Sequence, residues 1–497
     1  MGNYFYDMLP AEELSQLHYI PTVSEFVTWI GEKWTDRPAV SNLKDTFTYR
    51  ELCSRIARRR AFLADQGLHR GDRVAILEAN SIDAVELFLA VTSGGYVAIN
   101  LPNQLPAPAV VGCCARFGVS ALFAGPAFQE RAKGAPCPVF STSDISDREM
   151  PAADVSKEDP AAIFFTGGTT GAPKGAVLPH RALMRGAFNG CFAPGSQLFG
   201  HRTIGFLPLS HVFGLIRSTM SALYIGAEWF AAEDMKATIG RLSVIKPTLL
   251  ILVPGLCEIL CGLARTYGVQ FLGGELKMII SGAANVPPRL MTEFEKMGIE
   301  LLAGYGMTEG ANFTSGNADV KTKPTSVGCI YPEQEVKIVD GEIWFRGDNV
   351  FLGYYGDPVQ TAATVTPDGW LKTGDLGRFD EDGFLYITGR IKNLIILPNG
   401  ENVSPESIEE PFYKCPAVRD CLVSESEMDG EPCISIEILP VPQAVEGWSE
   451  EQIHSFFSKL VDEVNSNLPT THRVTRMTVR KEDFKRTGSL KVSRNQN

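Results

Sequence analysis

The stretch that most constrains this chain runs from Ala161 to Gly175. Ala161 to Phe165 is a continuous apolar run of strand length, the pattern of a parallel strand buried on both faces. It opens into Thr-Gly-Gly-Thr-Thr-Gly-Ala-Pro-Lys-Gly at positions 166–175. A buried strand leading into such a loop points to a layered α/β fold and to phosphate-binding chemistry. Gly167, Gly168 and Gly171 let the backbone turn and bring its N–H groups close to a polyphosphate, while Thr169 and Thr170 add hydroxyls and Lys174 a compact positive charge. The Gly-x-x-x-x-Gly-Lys-Ser/Thr loop of kinases and GTPases is excluded by spacing, because Pro173 precedes Lys174 and Gly175 follows it. The expected ligand is a nucleoside triphosphate held by a different loop.

Strand and helix patterns alternate along the rest of the chain, as in layered α/β proteins. Val74 to Leu77, Thr248 to Val253 and Lys277 to Ser281 read as strands, and Pro288 to Met297 as a helix. A further helix is expected from Tyr49 to Gln66, opened by a Thr48/Glu51 capping box and ended by Gly67. Its Arg58-Arg59-Arg60 cluster reads as a solvated face. From Gly328 to Phe351 the pattern shortens to strands with turns, and Asp340-Gly341 between Glu335 to Val339 and Glu342 to Phe345 signals a hairpin. Near the C-terminus, Val418 to Ser424 and Cys433 to Ile438 read as strands and Glu450 to Asn467 as a helix.

Composition narrows the partners. The chain has 497 residues, 44% hydrophobic and 21% charged, and a formal net charge of −12. It is long enough for large cores, and no basic field draws it to nucleic acid or anionic membrane. Its 11 cysteines form neither a Cys-x-x-Cys pair nor a zinc spacing, and Cys257 and Cys261, one helical turn apart in an apolar run, read as reduced core thiols. No apolar run approaches the roughly 20 residues that span a bilayer, and the N-terminus carries no secretory or myristoylation signal. A cytoplasmic protein is expected, monomer or homodimer.

Five more segments follow the loop in order: Leu207 to Gly214 (Leu-Pro-Leu-Ser-His-Val-Phe-Gly), Ser281-Gly282-Ala283-Ala284, Gly304-Tyr305-Gly306-Met307-Thr308-Glu309, Trp370 to Leu376 (Trp-Leu-Lys-Thr-Gly-Asp-Leu) and Gly389-Arg390-Ile391-Lys392-Asn393. Alone, an Asp after a Gly is ordinarily a turn residue and a Tyr ordinarily core. Together and in this order, with the loop, they resemble the adenylate-forming (AMP-binding) superfamily of acyl- and aryl-CoA ligases, peptide-synthetase adenylation domains and firefly luciferase. The resemblance covers nearly the whole chain. It implies a large multi-subdomain N-terminal α/β domain with a β-rich subdomain, residues 1–389, and a small mobile α+β lid, residues 390–497, hinged near Lys392. It also implies an enzyme that joins a small-molecule carboxylic acid to ATP as an acyl-adenylate, releases pyrophosphate, and passes the acyl group to a thiol. An acid:CoA ligase leads, a stand-alone enzyme loading the phosphopantetheine arm of an acyl carrier protein is the alternative, and an inactive nucleotide- or acyl-binding homologue is a third reading.

By the same resemblance, the nucleotide site comprises Thr166, Gly167, Gly168, Thr169, Thr170, Gly171, Lys174, Gly282, Ala283, Ala284, Tyr305, Gly306, Met307, Thr308, Asp375, Ile387, Arg390 and Lys491. Tyr305 stacks on adenine, Thr308 reaches the α-phosphate and Asp375 takes both ribose hydroxyls, a task its paired acceptor oxygens suit. Glu309 helps hold Mg2+, a hard ion suited to oxygen. Lys491, Thr170 and His211 are the catalytic residues, with Lys485 as the alternative to Lys491. Lys392 marks the hinge and Gly400 the passage for the pantetheine of coenzyme A. The acyl pocket is lined by His211, Val212, Phe213, Gly282, Gly304, Asn312 and Phe313. Two positions depart from the pattern: Gly167 stands where Ser is usual, and Leu490 where Gly precedes the Lys. No carboxylate follows Phe213 to pair an ammonium group, so the mainly apolar lining favours a medium fatty or aryl acid over an α-amino acid.

Overall fold

The computed structural model describes residues 5, 9–166, 174–192, 198–317, 319–397, 401–428, 431–486 and 492–494, with only the backbone of 313, 428, 431 and 432. Four clusters of buried apolar side chains organise the described residues: the largest gathers residues from Phe5 to Leu371, the second runs from Ile395 to Val474, a third from Ala75 to Ile163, and a small fourth joins Leu422, Leu439 and Phe484.

The apolar run of the first paragraph lies at the centre of a seven-stranded sheet, in the order Gly353–Tyr354, Lys174–Pro179, Pro160–Thr166, Val97–Asn100, Arg73–Leu77, Val119–Ala124, Val139–Ser141. Pro160–Thr166 is parallel to Val97–Asn100 on one side but antiparallel to Lys174–Pro179 on the other, with Thr166 paired to Lys174. The expectation of a purely parallel strand is therefore corrected. The glycine-rich loop bridges two antiparallel neighbours instead of leading from a strand into a helix, which separates it from the P-loop architecture as its spacing did.

A five-stranded sheet has Leu249–Leu252, Met278–Ser281 and Glu300–Met307 in parallel, then Asn312–Asn317 and Cys329–Ile330 antiparallel. The parallel strands are buried along almost their whole length, as helices on both faces require. A four-stranded antiparallel sheet, Gln334–Val339, Glu342–Gly347, Leu371–Phe379 and Leu385–Arg390, follows. Its first hairpin turns at Asp340 and Gly341, with φ of 50° and 82°, the paired positive angles of a type I′ turn that Asp-Gly adopts at little cost. The second core holds Val418–Met428, Glu431–Pro440 and Val474–Val479 under the helices Pro405–Tyr413 and Glu450–Ser466.

The helix Tyr49–Asp65 starts where expected. Thr48 Oγ1 accepts from the Glu51 amide at 3.3 Å, and the Thr48 amide donates to Glu51 Oε2 at 2.7 Å. Its arginine cluster is not a solvated face. Arg59 is 1% and Arg60 5% exposed; Arg59 pairs with Asp83 and, at 2.7 Å, with Glu86, while Arg60 donates to Ser93 Oγ at 2.9 Å and to the Met150 carbonyl at 3.0 Å. The neighbouring helix Ile82–Ser93 brings those acids inward, so the buried guanidinium charge is paired and hydrogen-bonded as burial demands. Cys257 and Cys261 lie buried in the helix Pro254–Tyr267, and none of the 11 cysteines is in a disulfide. Among the described residues no helix is long and apolar enough to cross a membrane.

Candidate active site

The strand Glu300–Met307 carries Gly304, Tyr305, Gly306 and Met307 to its C-terminal end and runs into a 3-10 turn holding Thr308 and Glu309. Ligands of open α/β sheets gather at that end of the strands. Strand Leu371–Phe379 brings Asp375 alongside, and Leu385–Arg390 brings Ile387 and Arg390; Asp375 faces Arg390 across the ladder.

These elements bring two buried carboxylates, Asp375 and Glu309, into one charged cluster with Arg390. The Tyr305 hydroxyl donates to Asp375 Oδ2 at 2.7 Å, and Arg390 clasps both oxygens of Asp375 through Nε and Nη2. The Asp375 amide donates to Thr373 Oγ1 at 3.0 Å, which fixes the turn before it. Burial, then the charge of Asp375, drives the Tyr305 phenol well above its ordinary value, so it remains a donor. Glu309 is 7% exposed and accepts from the Tyr354 hydroxyl at 2.7 Å. Burial raises the Glu309 pKa, Asp375 adds to the rise, and the Tyr354 hydrogen bond and Arg390 oppose it. Lys174 Nζ stands 5.2 Å from the centre of the Tyr354 ring, a cation–π contact that ties the end of the glycine-rich loop to Glu309. Lys392 follows in the turn Ile391–Asn393; burial of its ammonium, then the Arg390 charge, lowers its pKa.

On the acyl side, Val212 and Phe213 are buried and His211 is exposed, at the start of a π-helix spanning Phe213–Met220. Gly282 is buried, and the following turn carries Ala283 at φ 64° and half-buried Ala284. Asn312 is buried, but its Nδ2 is spent on the Gly186 carbonyl at 3.1 Å, so it braces the pocket wall. The Phe313 backbone pairs with Gly306. Gly186 is needed at this crossing, since a Cβ there would sit 2.4 Å from the Ala311 carbonyl oxygen.

The fold thus brings together Thr166, Lys174, Tyr305, Thr308, Glu309, Asp375, Arg390 and Lys392, while Ile387, three residues before Arg390, pairs with Gly377. Gly167, Gly168, Thr169, Thr170, Gly171, Gly400 and Lys491 lie outside the described residues. Tyr354 is the contributor that sequence reasoning missed. It sits in Gly-Tyr-Tyr at 353–355, where an aromatic reads as ordinary core; its role shows only once the strand Gly353–Tyr354 is paired beside Lys174–Pro179.

Comparison with known proteins places this geometry. The chain matches the AMP-binding enzyme family over residues 27–355 and the AMP-binding enzyme C-terminal domain over residues 392–497. It belongs to the AMP-binding enzyme family. This AMP-binding enzyme is 30% identical over 405 residues to a feruloyl-CoA synthase of Amycolatopsis sp, covering 78% of this chain and 82% of the relative. It is 28% identical over 469 residues to a long-chain-fatty-acid–CoA ligase of Bacillus subtilis, covering 81% and 82%. The solved structure of ATP-bound MatB from Rhodopseudomonas palustris superposes with a TM-score of 0.81 at 24% identity, covering 95% of this chain and 98% of that one. The adenylate-forming α/β fold with a smaller C-terminal domain is therefore the fold of this AMP-binding enzyme.

Proposed function

We infer that the acid activated here is a medium fatty or aryl carboxylate and that the site residues divide the work as follows. The chain is an AMP-forming acid:CoA ligase, a reading its curated relatives support. A carboxylate oxygen attacks the α-phosphorus of ATP and pyrophosphate leaves; the coenzyme A thiol then loses its proton, attacks the acyl carbon, and AMP leaves. Two anions must meet in the first step, so the task is charge neutralisation and alignment. Lys174 faces the phosphates, Thr308 reaches the α-phosphate, and Asp375 accepts from the ribose diol once Tyr305 and Arg390 yield their hold on it.

Mg2+, when bound, neutralises phosphate charge. Among the described residues no three His, Cys, Asp or Glu side chains converge on a metal-sized site. One carboxylate plus phosphate oxygens and waters is the mode Mg2+ favours, and Glu309, with lone pairs beyond the one Tyr354 uses, fits that role. The single observation that carries this assignment is the pair of buried carboxylates, Glu309 held by the Tyr354 hydroxyl and Asp375 by Tyr305 and Arg390. Unpaired thiols throughout fit a reducing, cytoplasmic setting.

The test is exchange of labelled pyrophosphate into ATP over a panel of fatty and aryl acids with Mg2+, followed by trapping of the thioester. Exchange with an acid, and acyl transfer to free coenzyme A, is the expected result. Transfer only to a phosphopantetheinylated carrier protein would assign the enzyme to carrier loading, and absence of exchange with every acid would make it a binding protein.

A further inference from the structure

The acyl-wall segment, residues 207–214, begins where a sheet ends. The strand Arg202–Gly205 lies at the edge of a four-stranded sheet with Thr46–Thr48, Pro38–Ser41 and Glu228–Ala231. Past Gly205 that ladder no longer holds the chain, and two asparagines from the seven-stranded sheet hold it instead. Asn80 follows the strand Arg73–Leu77 by three residues, and Asn100 is the last residue of Val97–Asn100. These strands run parallel and side by side, so both residues stand at the C-terminal end, where ligands of α/β sheets gather.

Asn80 Nδ2 donates to the Gly205 carbonyl at 2.7 Å and to the Leu207 carbonyl at 2.9 Å, and its Oδ1 accepts from the Leu209 amide at 3.3 Å. Asn100 Nδ2 donates to the Leu209 carbonyl at 3.0 Å. Leu209 is thereby gripped at both its N–H and its C=O. Two carbonyls demand a donor and an amide demands an acceptor, which fixes the orientation of the Asn80 side chain. The grip passes directly to the residues assigned to the acyl side. The His211 amide donates back to the Pro208 carbonyl at 3.1 Å, closing a turn over Leu209 and Ser210, and the Leu215 amide donates to the His211 carbonyl at 2.9 Å. The start of the π-helix rests on the same turn, since a Cβ at Gly214 would lie 2.2 Å from the Pro208 carbonyl oxygen. A shift of Leu209 therefore moves His211, Val212 and Phe213 together. None of these bonds reaches the strands that carry Tyr305, Asp375 and Arg390.

We propose that Asn80, backed by Asn100, is a positioning residue for acid activation: through backbone bonds, and without touching substrate, it sets the acyl wall and His211 against the carboxylate. The proposal rests on the acid-activating reading above.

The test measures pyrophosphate release by the full chain and its variants, varying ATP and, separately, the best acid of a panel running from butanoate to decanoate and including benzoate. Asn80→Asp keeps the size of the side chain but turns an acceptor toward the two carbonyls. It is expected to raise KM for the acid roughly tenfold and to lower kcat/KM for it by roughly 10²-fold, as small displacements of reacting groups do, while KM for ATP holds within about twofold. Asn80→Ala is expected to act likewise, and Asn100→Ala, which removes one bond, in the same direction to a smaller degree. Asn465 is the control. In the second core its side chain grips Val474, donating to the carbonyl and accepting from the amide at 2.8 Å each, and Asn465→Ala is expected to lower the unfolding midpoint with KM for the acid unchanged. A wild-type KM for the acid in Asn80→Asp overturns the proposal, and so does an equal rise in both KM values, the mark of a merely structural role. Should neither Asn80 variant fold, Asn100→Ala decides by the same split. Absence of release by the wild type with every acid of the panel overturns the ligase reading itself, and this proposal with it.

Discussion

Glu309 is a carboxylate that stability opposes. Its pKa is raised in the folded chain, chiefly by burial, so the folded state binds a proton at Glu309 more tightly than the unfolded state does. The stability this confers is complete below the ordinary glutamate range and is lost as pH rises through the raised value. In its ionised form the buried side chain destabilises the domain, as a carboxylate reserved for a cation would. Glu309→Gln is expected to raise the unfolding midpoint at pH 8 while cutting pyrophosphate exchange by about 10²–10³, roughly 2.7–4 kcal/mol of transition-state stabilisation. Thermal denaturation and exchange kinetics on the same variant check both; unchanged exchange would remove Glu309 from the metal role. Asp375 offers a different test. Its two oxygens are held by Tyr305 and Arg390, and a ribose diol is proposed to replace them. Asp375→Ala should weaken ATP binding by about 1.5–3 kcal/mol for each charged hydrogen bond lost and should erase discrimination against 2′-deoxy-ATP. Equal discrimination in variant and wild type would make Asp375 a turn residue only.

At the scale of elements, the helix Pro405–Tyr413 anchors the segment that follows Lys491. Arg494 donates to Glu409 at 3.0 and 3.1 Å, pairs with Glu406 at 2.8 Å, and donates to the Val423 carbonyl at 3.0 Å. Burial lifts Glu409 from 4.5 to about 7, against the pull of Arg494 and the Val423 amide. The stability so conferred is full below 4.5 and lost as pH passes 7; at ~1.36 kcal/mol per pH unit it amounts to about 3 kcal/mol. Amide exchange in the strand Val418–Met428 should therefore quicken between pH 5 and 8 beyond the intrinsic pH trend, and Glu409→Gln should flatten that excess. An unaltered excess would place the titrating group elsewhere. Elements of this kind were legible unevenly. The Thr48/Glu51 cap and the Asp340-Gly341 hairpin could be read directly, because local backbone bonding dictates both. Tyr354 and the burial of Arg59 could not be read, because each depends on a partner far along the chain. Arg59 meets Glu86 only after two helices pack, and Tyr354 meets Glu309 only after an edge strand joins the central sheet. The π-helix was equally hidden, since Phe-Gly-Leu-Ile-Arg-Ser-Thr-Met carries no signal that separates a wide turn from an α turn. The Thr219 and Ser221 hydroxyls donate to the carbonyls five residues back, of Gly214 and Ile216, at 3.0 Å each, contacts that emerge only in three dimensions.

At the scale of the whole molecule, the two largest cores meet across a polar seam. Arg289 of the large core donates to the Val418 and Arg419 carbonyls at 3.2 and 3.3 Å while pairing with Glu258, and the chain crosses between cores through the short turn Ile391–Asn393. A polar seam with a short covalent link suits a small domain that rotates between two reactions. If Lys491 serves only the adenylation pose, Lys491→Ala should lose acid activation by roughly a hundredfold or more, as removal of a charge-stabilising donor does, yet still convert supplied acyl-adenylate to thioester. Lys392→Pro would fix φ near −65° and restrict the residue before it. That change at the turn should impair the thioester half-reaction more than adenylation. Measuring both half-reactions on both variants should give a crossed pattern. Equal loss of both in Lys491→Ala would contradict domain alternation, and full adenylation activity in that variant would move the role to Lys485.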